Sequence, residues 1–460
     1  MLKLSLCFLI LFFISVHQVL AVTDPRLFPN NKFGINTLSP EAEIDEVAEL
    51  VNTNGDWGYV VVTIKKSERD ALRWQTFLNT TRDKHLIPIL RLATEFDINN
   101  NWQQPGENDT KEWAEFLSKL QFPTANRYIQ IYNEVNRAKE WGGEIDPASY
   151  ALELRNTIDL LKEKSDEFFI LNAPLDLALA NSADSLSADE FFAKMNEAVP
   201  GIFDKLDGWA SHSYPNPDFS SPPDKLGRTG IDGYKWELFE ISKFTKKNLP
   251  IFITETGWRR GNESSIGLNE DIISDYYEKA FRNVWSDPNV VTVAPFVLGY
   301  PEPLFHEFSF KTSDKNYYKY FTTLKNFQKT KGDPSRINNT SDLTVRGPAN
   351  ILMNESKDII VKFRNQGNYI WNFKENLDIR VISENIYAYE VYWNKEEYLP
   401  QEEVTAIVKI KSIAQGVKPA EVQIVSDNVI LDQKTITITS DNSFSLFIQQ
   451  VKDFADQIAS

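Results

Sequence analysis

The chain has 460 residues, of which 49 are basic and 65 acidic, for a net charge of −16. That balance argues against nucleic acid or an anionic membrane as a partner, because both demand a positive face. It favours a neutral substrate, and the length leaves room for two or three domains.

Residues 1–21 read MLKLSLCFLILFFISVHQVLA: one early lysine, an apolar run, then small residues at a cleavage position. This is the pattern of a secretory signal peptide, so a secreted or extracytoplasmic location is expected. The alternative is an uncleaved anchor over residues 4–22, which nearly reaches the ~20 residues that span a bilayer; only then is a membrane a partner. Cys7, the single cysteine, falls inside this segment. The body of the chain is therefore expected to have no disulfide and no cysteine metal site.

From residue 22 the chain alternates two textures. KFGIN (32–36) reads as a strand, PEAEIDEVAELVN (40–52) as an amphipathic helix, WGYVVVTI (57–64) as a strand and ERDALRWQTFLNTTRD (68–83) as a helix. LIPILRLAT (86–94), YIQIYNEVN (128–136), EFFILNAP (167–174), LDGWASHSYP (206–215), PIFITETGW (250–258) and VVTVAPFVLG (290–299) continue the strands, with helical runs between them. Eight apolar strands alternating with helices predict a (β/α)8 TIM barrel over 22–330, since strands covered on both faces read as continuous apolar runs. An open doubly wound sheet is the alternative, but no glycine-rich phosphate loop follows the first strand. KGDPSRINNTSD (331–342) has linker composition. Seven short alternating runs over 343–440 predict an Ig-like β-sandwich. The tail 441–460 places Phe444, Phe447, Ile448, Val451, Phe454 and Ile458 on one helical face, which suits docking on the body of the protein. The fold class is thus α/β, a barrel followed by a sandwich.

Two of the strands end in a carboxylate, YIQIYNEVN at Asn133-Glu134 and PIFITETGW at Glu255. Barrels of this kind do their chemistry at the carboxyl ends of their strands. Two facing carboxyls suit glycosidic cleavage, and a retaining enzyme holds them about 5–5.5 Å apart. A capping or ion-pairing role for a single strand-end glutamate is the competing reading.

With Asn133-Glu134 ending the fourth strand and Glu255 the seventh, the chain resembles the glycoside hydrolases of clan A, the 4/7 superfamily. TETGW around Glu255 also resembles the nucleophile segment of plant and fungal β-1,3-glucanases in that clan. The resemblance covers residues 30–330. It implies that Glu134 is the acid/base, Glu255 the nucleophile, and Asn133 a hydrogen-bonding partner of the sugar 2-hydroxyl. Clan members commonly carry a tryptophan at the end of the eighth strand; here Phe296 stands there, which leaves the floor of the cleaved sugar's site open.

Other residues fit supporting roles. Arg91 is a charge in an apolar strand and needs a carboxylate, for which Glu255 is the natural partner. Tyr214 is expected to donate to Glu255, and His212 to hold Glu134 or a sugar hydroxyl. Trp258 follows Glu255 closely enough to floor the cleft, and Trp102, Trp141 and Tyr300 lie in loops at the same rim; aromatic faces bury the apolar side of a pyranose. No cofactor and no metal are expected, because HExxH, Walker and GxSxG motifs are lacking and histidines number four. The reading is a secreted retaining glycoside hydrolase acting on a neutral β-linked oligo- or polysaccharide. The alternatives are a non-catalytic glycan-binding or cell-surface protein that keeps the barrel as a scaffold, and a membrane-anchored structural protein.

Overall fold

The computed structural model describes residues 22–261, 267–300, 305–312, 314, 316–442, 448, 451, 452 and 454. The expected signal segment 1–21 lies outside them, as does most of the expected C-terminal helix. Of that helix's apolar face, Ile448, Val451 and Phe454 are described, and all three are exposed rather than docked. Among the described residues no helix is long and apolar enough to cross a membrane.

The alternation read from the sequence is observed: β1 (Gly34–Thr37), α1 (Pro40–Asn52), β2 (Gly58–Lys65), α2 (Ala71–Asp83), β3 (Leu86–Ala93), α3 (Asp109–Ser118), β4 (Arg127–Ile131) and α4 (Pro147–Lys164). It continues with β5 (Phe168–Leu171), α5 (Ala188–Ala198), β6 (Trp209–Ser211), α6 (Gly233–Ile241), β7 (Ile251–Thr256), α7 (Glu270–Asn283), β8 (Val290–Pro295) and α8 (Lys319–Asn326). Helix starts are set locally: Asp70 accepts from the Leu72 and Arg73 amides, Asp146 from that of Ser149 and Asn269 from that of Ile272.

Strands β1 to β5 pair in parallel in chain order, and β6 to β8 do the same. Two parallel bridges close the circle, Leu171 to Gly208 and Phe33 to Val293. At the first seam a Cβ on residue 208 would stand 2.8 Å from side-chain atoms of Leu171, Phe169 and Phe252, so the strands can meet there only at a glycine.

Alternate strand residues, including Tyr59, Val61, Ile87, Ile89, Tyr128 and Ala210, form one buried cluster. The residues between them, such as Val60, Val62, Leu90 and Ile129, belong to a second cluster with the helical side chains Val47, Phe77, Leu117 and Ile158. This period of two puts Thr63, Arg91, Gln130 and His212 at the carboxyl ends of the inward-facing rows. A charge in an apolar strand is thereby aimed at the barrel mouth.

Beyond the barrel, β9 (Thr340–Arg346), β10 (Asn350–Leu352), β11 (Ser356–Asn365), β12 (Trp371–Asn372), β13 (Leu377–Ile382), β14 (Ile386–Trp393), β15 (Glu397–Tyr398), β16 (Glu403–Ser412), β17 (Gly416–Ser426) and β18 (Val429–Asp441) follow. They form two four-stranded sheets, in the orders β10-β18-β17-β13 and β14-β16-β11-β9, plus the short pair β12-β15. Alternate residues of both large sheets, among them Ile359, Val361, Val408, Ile379, Val422 and Ile438, share one apolar core.

The linker expectation needs correction. Residues 332–335 are tied to the barrel, through Ala125 N–H to Ser335 O at 2.8 Å and Asp333 N–H to Pro29 O at 2.8 Å. Residues 337–339 are tied to the two-sheet domain, through Asn368 N–H to Ile337 O at 2.9 Å and Gln366 N–H to Asn339 O at 2.9 Å, and β9 already begins at Thr340. Polar composition marks solvated backbone, and here the two domains supply hydrogen-bond partners instead. Arg82 joins the two domains from the barrel side. It is 3% exposed, and its Nε donates to Asn368 O at 3.1 Å while Nη2 donates to Gln121 O at 3.0 Å and Phe122 O at 3.3 Å. Arg82→Ala removes the guanidinium donor from Asn368 O and Phe122 O, while Gln121 O keeps the Gln75 amide at 3.3 Å. It is expected to cost about 3 kcal/mol, read as a lower urea midpoint; a change within ~0.5 kcal/mol, the range of an ordinary surface substitution, would remove the guanidinium from this role.

Candidate active site

Glu134 stands just beyond β4, on backbone of unusual shape. Tyr132 and Glu134 both have left-handed φ, 66° and 33°, a conformation that costs non-glycine residues roughly 1–3 kcal/mol each. The turn is held by Gln130, whose amide donates to Tyr132 O at 3.1 Å, and by Glu134 N–H, which donates to Pro174 O at 2.9 Å. Glu255 arrives differently. Along β7, Phe252 faces into the barrel, so strict alternation would turn Glu255 outward. The register against β8 slips between Ile253 and Thr256, where three steps on β7 span two on β8. Such a bulge re-aims a side chain, and here it brings the carboxylate to the mouth.

The two glutamates meet across a shared set of donors. Glu134 Oε1 lies 2.8 Å from His212 Nδ1, and its Oε2 lies 3.1 Å from Arg137 Nε. Glu255 Oε1 accepts from Arg91 Nη1 at 2.6 Å and Oε2 from the Tyr214 hydroxyl at 3.1 Å. The His212 ring nitrogen is also 3.8 Å from Glu255 Oε2. Arg91 is fixed in turn, with Nε donating to Thr63 Oγ1 at 2.8 Å and Nη1 to Asn133 Oδ1 at 2.9 Å. Arg137 also pairs with Asp176.

Burial works to push the Glu134 carboxyl up, but the His212 hydrogen bond and charge, with Arg137 and Arg91, outweigh it and hold Glu134 below its ordinary range. For His212 burial works to lower the imidazole, and the Glu255 charge together with the Glu134 hydrogen bond carries it above the ordinary value instead. The two directions are complementary: the shared hydrogen bond favours the carboxylate form of Glu134 and the protonated form of His212. Asp176 is raised by burial and by Glu134, against the pull of Arg137.

The structure thus brings Glu134, Glu255, Asn133, Arg91, His212 and Tyr214 to one place. It does not bring Trp258, and the expectation that this ring floors the cleft is corrected. Trp258 is 2% exposed, its indole N–H donates to Ser221 O at 2.8 Å, and its ring packs on Tyr276, Tyr277 and Trp285. Gly257, at φ 141° and with no room for a Cβ beside the Tyr277 hydroxyl, turns the chain so that the next side chain goes into the core. Trp141 is likewise core, 1% exposed between Tyr132 and Tyr150. Trp102 does line the rim, and Phe296 at the end of β8 packs edge-on against Phe305 and Phe308. Arg137, Asp176 and Glu140 were not singled out from the sequence. Arg137 follows Glu134 by three residues, a spacing that could have suggested an ion pair; Asp176 and Glu140 depend on loop paths with no sequence signal.

Among the described residues, Glu134, His212 and Glu255 form the one group of three able to present ligand atoms to a metal ion, all within 4.8 Å of one another. Arg91 and Arg137 already hold an oxygen of each glutamate, so side-chain cations meet the charge of this cluster.

No protein-family model matches the sequence, and no curated protein does. Solved structures are similar in shape. A family 39 glycoside hydrolase from the gut symbiont Bacteroides cellulosilyticus shares 11% identity at TM-score 0.44, over 85% of this chain and 83% of that one. A GH128 endo-β-1,3-glucanase from Sorangium cellulosum shares 11% at TM-score 0.43, over 64% of this chain and 98% of that one. A glucosidase from Croceicoccus marinus shares 10% identity at TM-score 0.50, over 84% of this chain and 97% of that one, and with it the chain has the barrel fold found in glycoside hydrolases.

Proposed function

We propose that the protein is a secreted retaining glycoside hydrolase that cleaves a neutral β-linked glycan by double displacement. The observation that carries this is the approach of the Glu134 and Glu255 carboxylate oxygens to within 4.8 Å at the mouth of a parallel barrel. Retaining enzymes keep their carboxyl groups about 5–5.5 Å apart, whereas inverting enzymes leave about 6.5–9.5 Å for a water. Glu255, oriented by Arg91 and Tyr214, attacks the anomeric carbon. Glu134 delivers a proton to the leaving oxygen and later removes one from water. His212 Nδ1, 2.8 Å from the Glu134 carboxylate, is placed to supply the proton that Glu134 delivers. Asn133, whose Oδ1 is taken by Arg91 and whose Nδ2 reaches Glu140 at 3.5 Å, keeps one amide hydrogen for a sugar hydroxyl. Secretion rests on the pattern of residues 1–21, and the two-sheet domain serves as an Ig-like accessory module. The downward shift of the Glu134 carboxyl, which works against a general acid, favours a second reading, a glycan-binding protein without turnover.

A panel of β-glucans, mannans and xylans separates the two. Release of reducing ends is expected from at least one polymer, with the β-anomer appearing first in proton NMR of fresh product. An α-anomer appearing first would overturn the retaining mechanism, and glycan binding with no release would favour the second reading.

A further inference from the structure

We propose that Glu140 is a specificity-determining residue: it lines a second sugar subsite beside the carboxylate pair, one that accepts a glycosyl unit bearing hydroxyls and rejects one bearing a carboxylate. The inference rests on the hydrolase reading for the nature of the ligand and on the geometry for its location. A cleft with about 310 Å³ of atom-free space, part of it open to solvent, is lined by Thr63, Arg91, Trp102, Tyr132, Asn133 and Glu140. Arg91 and Asn133 also belong to the glutamate network, so the cleft and the pair share a wall.

Its aromatic side is rigid. The Trp102 ring packs on Phe96 with centroids 4.0 Å apart, Trp102 N–H donates to Lys139 O at 2.7 Å, and Trp102 O accepts from Gly142 N–H at 2.6 Å. The loop after β3 is thereby locked to the loop that carries Glu140. Trp102 offers a face for the apolar side of a pyranose.

Glu140 is the polar counterpart. Glu134, Glu255 and Asp176 each face a cation. Among the described residues Glu140 has no ion pair, and its carboxyl accepts one long hydrogen bond, from Asn133 Nδ2 at 3.5 Å. A carboxyl folded into a cleft with so little satisfaction costs free energy unless a ligand supplies donors. Sugar hydroxyls supply them, whereas a ligand carboxylate would meet a like charge whose neighbouring cation is already engaged by Glu255 and Asn133. Burial pushes the Glu140 carboxyl up to about 7, the Glu134 charge adds to this, and Arg91 and the Asn133 hydrogen bond pull the other way, with Glu255 a smaller upward push. Arg91 and Tyr132 are the other ionisable groups in the cleft wall. Rejection of acidic ligands therefore sharpens as pH rises through about 7.

The test uses the whole protein with cello-, laminari-, manno- and xylotetraose and with tetragalacturonate, titrated calorimetrically at pH 5 and pH 8. At least one neutral tetrasaccharide should bind, and Glu140→Ala and Trp102→Ala should each weaken it about tenfold, or ~1.4 kcal/mol. Glu140→Gln, which keeps the shape, should hold neutral binding within about threefold and improve tetragalacturonate binding about tenfold or more at pH 8, with a smaller gain at pH 5. Circular dichroism confirms that each variant is folded. The inference falls if Glu140→Ala leaves neutral binding within about twofold, if the unaltered protein takes tetragalacturonate as well as the neutral sugars, or if it binds no tetrasaccharide. In any of those cases polymer hydrolysis lost in Glu255→Ala would still support the hydrolase reading. Binding with the expected Glu140 dependence but no hydrolysis would support the subsite alone.

Discussion

Glu255→Ala is expected to lower kcat by roughly 10⁴- to 10⁶-fold on whichever polymer proves to be a substrate, the scale seen when a nucleophile is deleted from an enzyme whose groups act as a unit. That is about 5.5–8 kcal/mol of lost barrier reduction. The side chain is the one carboxylate aligned by both Arg91 and Tyr214, and no other acid inherits those donors. Removing it leaves a space lined by a guanidinium and a phenol, which suits a small anion. Added azide should therefore restore part of the turnover and give an α-glycosyl azide, because attack comes from the face the carboxylate occupied. Glu134→Ala should lower kcat less for substrates with good leaving groups, which need no proton. More than about one per cent residual activity in Glu255→Ala would assign the nucleophile elsewhere.

Arg91→Met is expected to damage both stability and turnover. Arg91 and Glu255 are nearly enclosed, with side-chain exposures of 13% and 11%, and deleting one member of such a pair costs about 3–5 kcal/mol because the other charge is left buried without a partner. The Asn133 carbonyl and the Thr63 hydroxyl lose their donor as well. Turnover should fall about 10²- to 10³-fold, the effect of a nucleophile displaced rather than removed. The double variant Arg91→Met, Glu255→Gln distinguishes an electrostatic cause from a packing one. With no unpaired charge it should recover most of the lost stability in urea unfolding and remain inactive. If it stays as unstable as Arg91→Met, packing of the arginine stem is responsible.

The network explains why two glutamates this close can coexist. Glu134 and Glu255 would repel strongly if both were ionised in a dry site. Arg91 and Arg137 each neutralise one of them, and His212 lies within reach of both, 2.8 Å from Glu134 and 3.8 Å from Glu255. One ring nitrogen thus faces both carboxylates, while Arg91 compensates Glu255 independently.

The order of the barrel was legible in the chain because each strand is a short apolar run and each helix an amphipathic one, patterns that depend only on which face is buried. Arg91 could be singled out for the same reason, as a charge where the strand pattern demanded an apolar residue. The strand-end positions of Glu134 and Glu255 were legible too, but their facing one another was not. It depends on two departures from regular backbone, the left-handed turn at Tyr132 and Glu134 and the bulge in β7. Trp258 shows the opposite case, a residue next to the site in sequence that Gly257 turns into the core. Glu140 became visible only when the loops after β3 and β4 were locked together through Trp102. By itself the sequence determined the alternation of buried faces, and hence the architecture, because burial is periodic along the chain. Which side chains share the barrel mouth was decided by the tertiary structure, since bulges, positive φ and loop docking are set by contacts between distant segments.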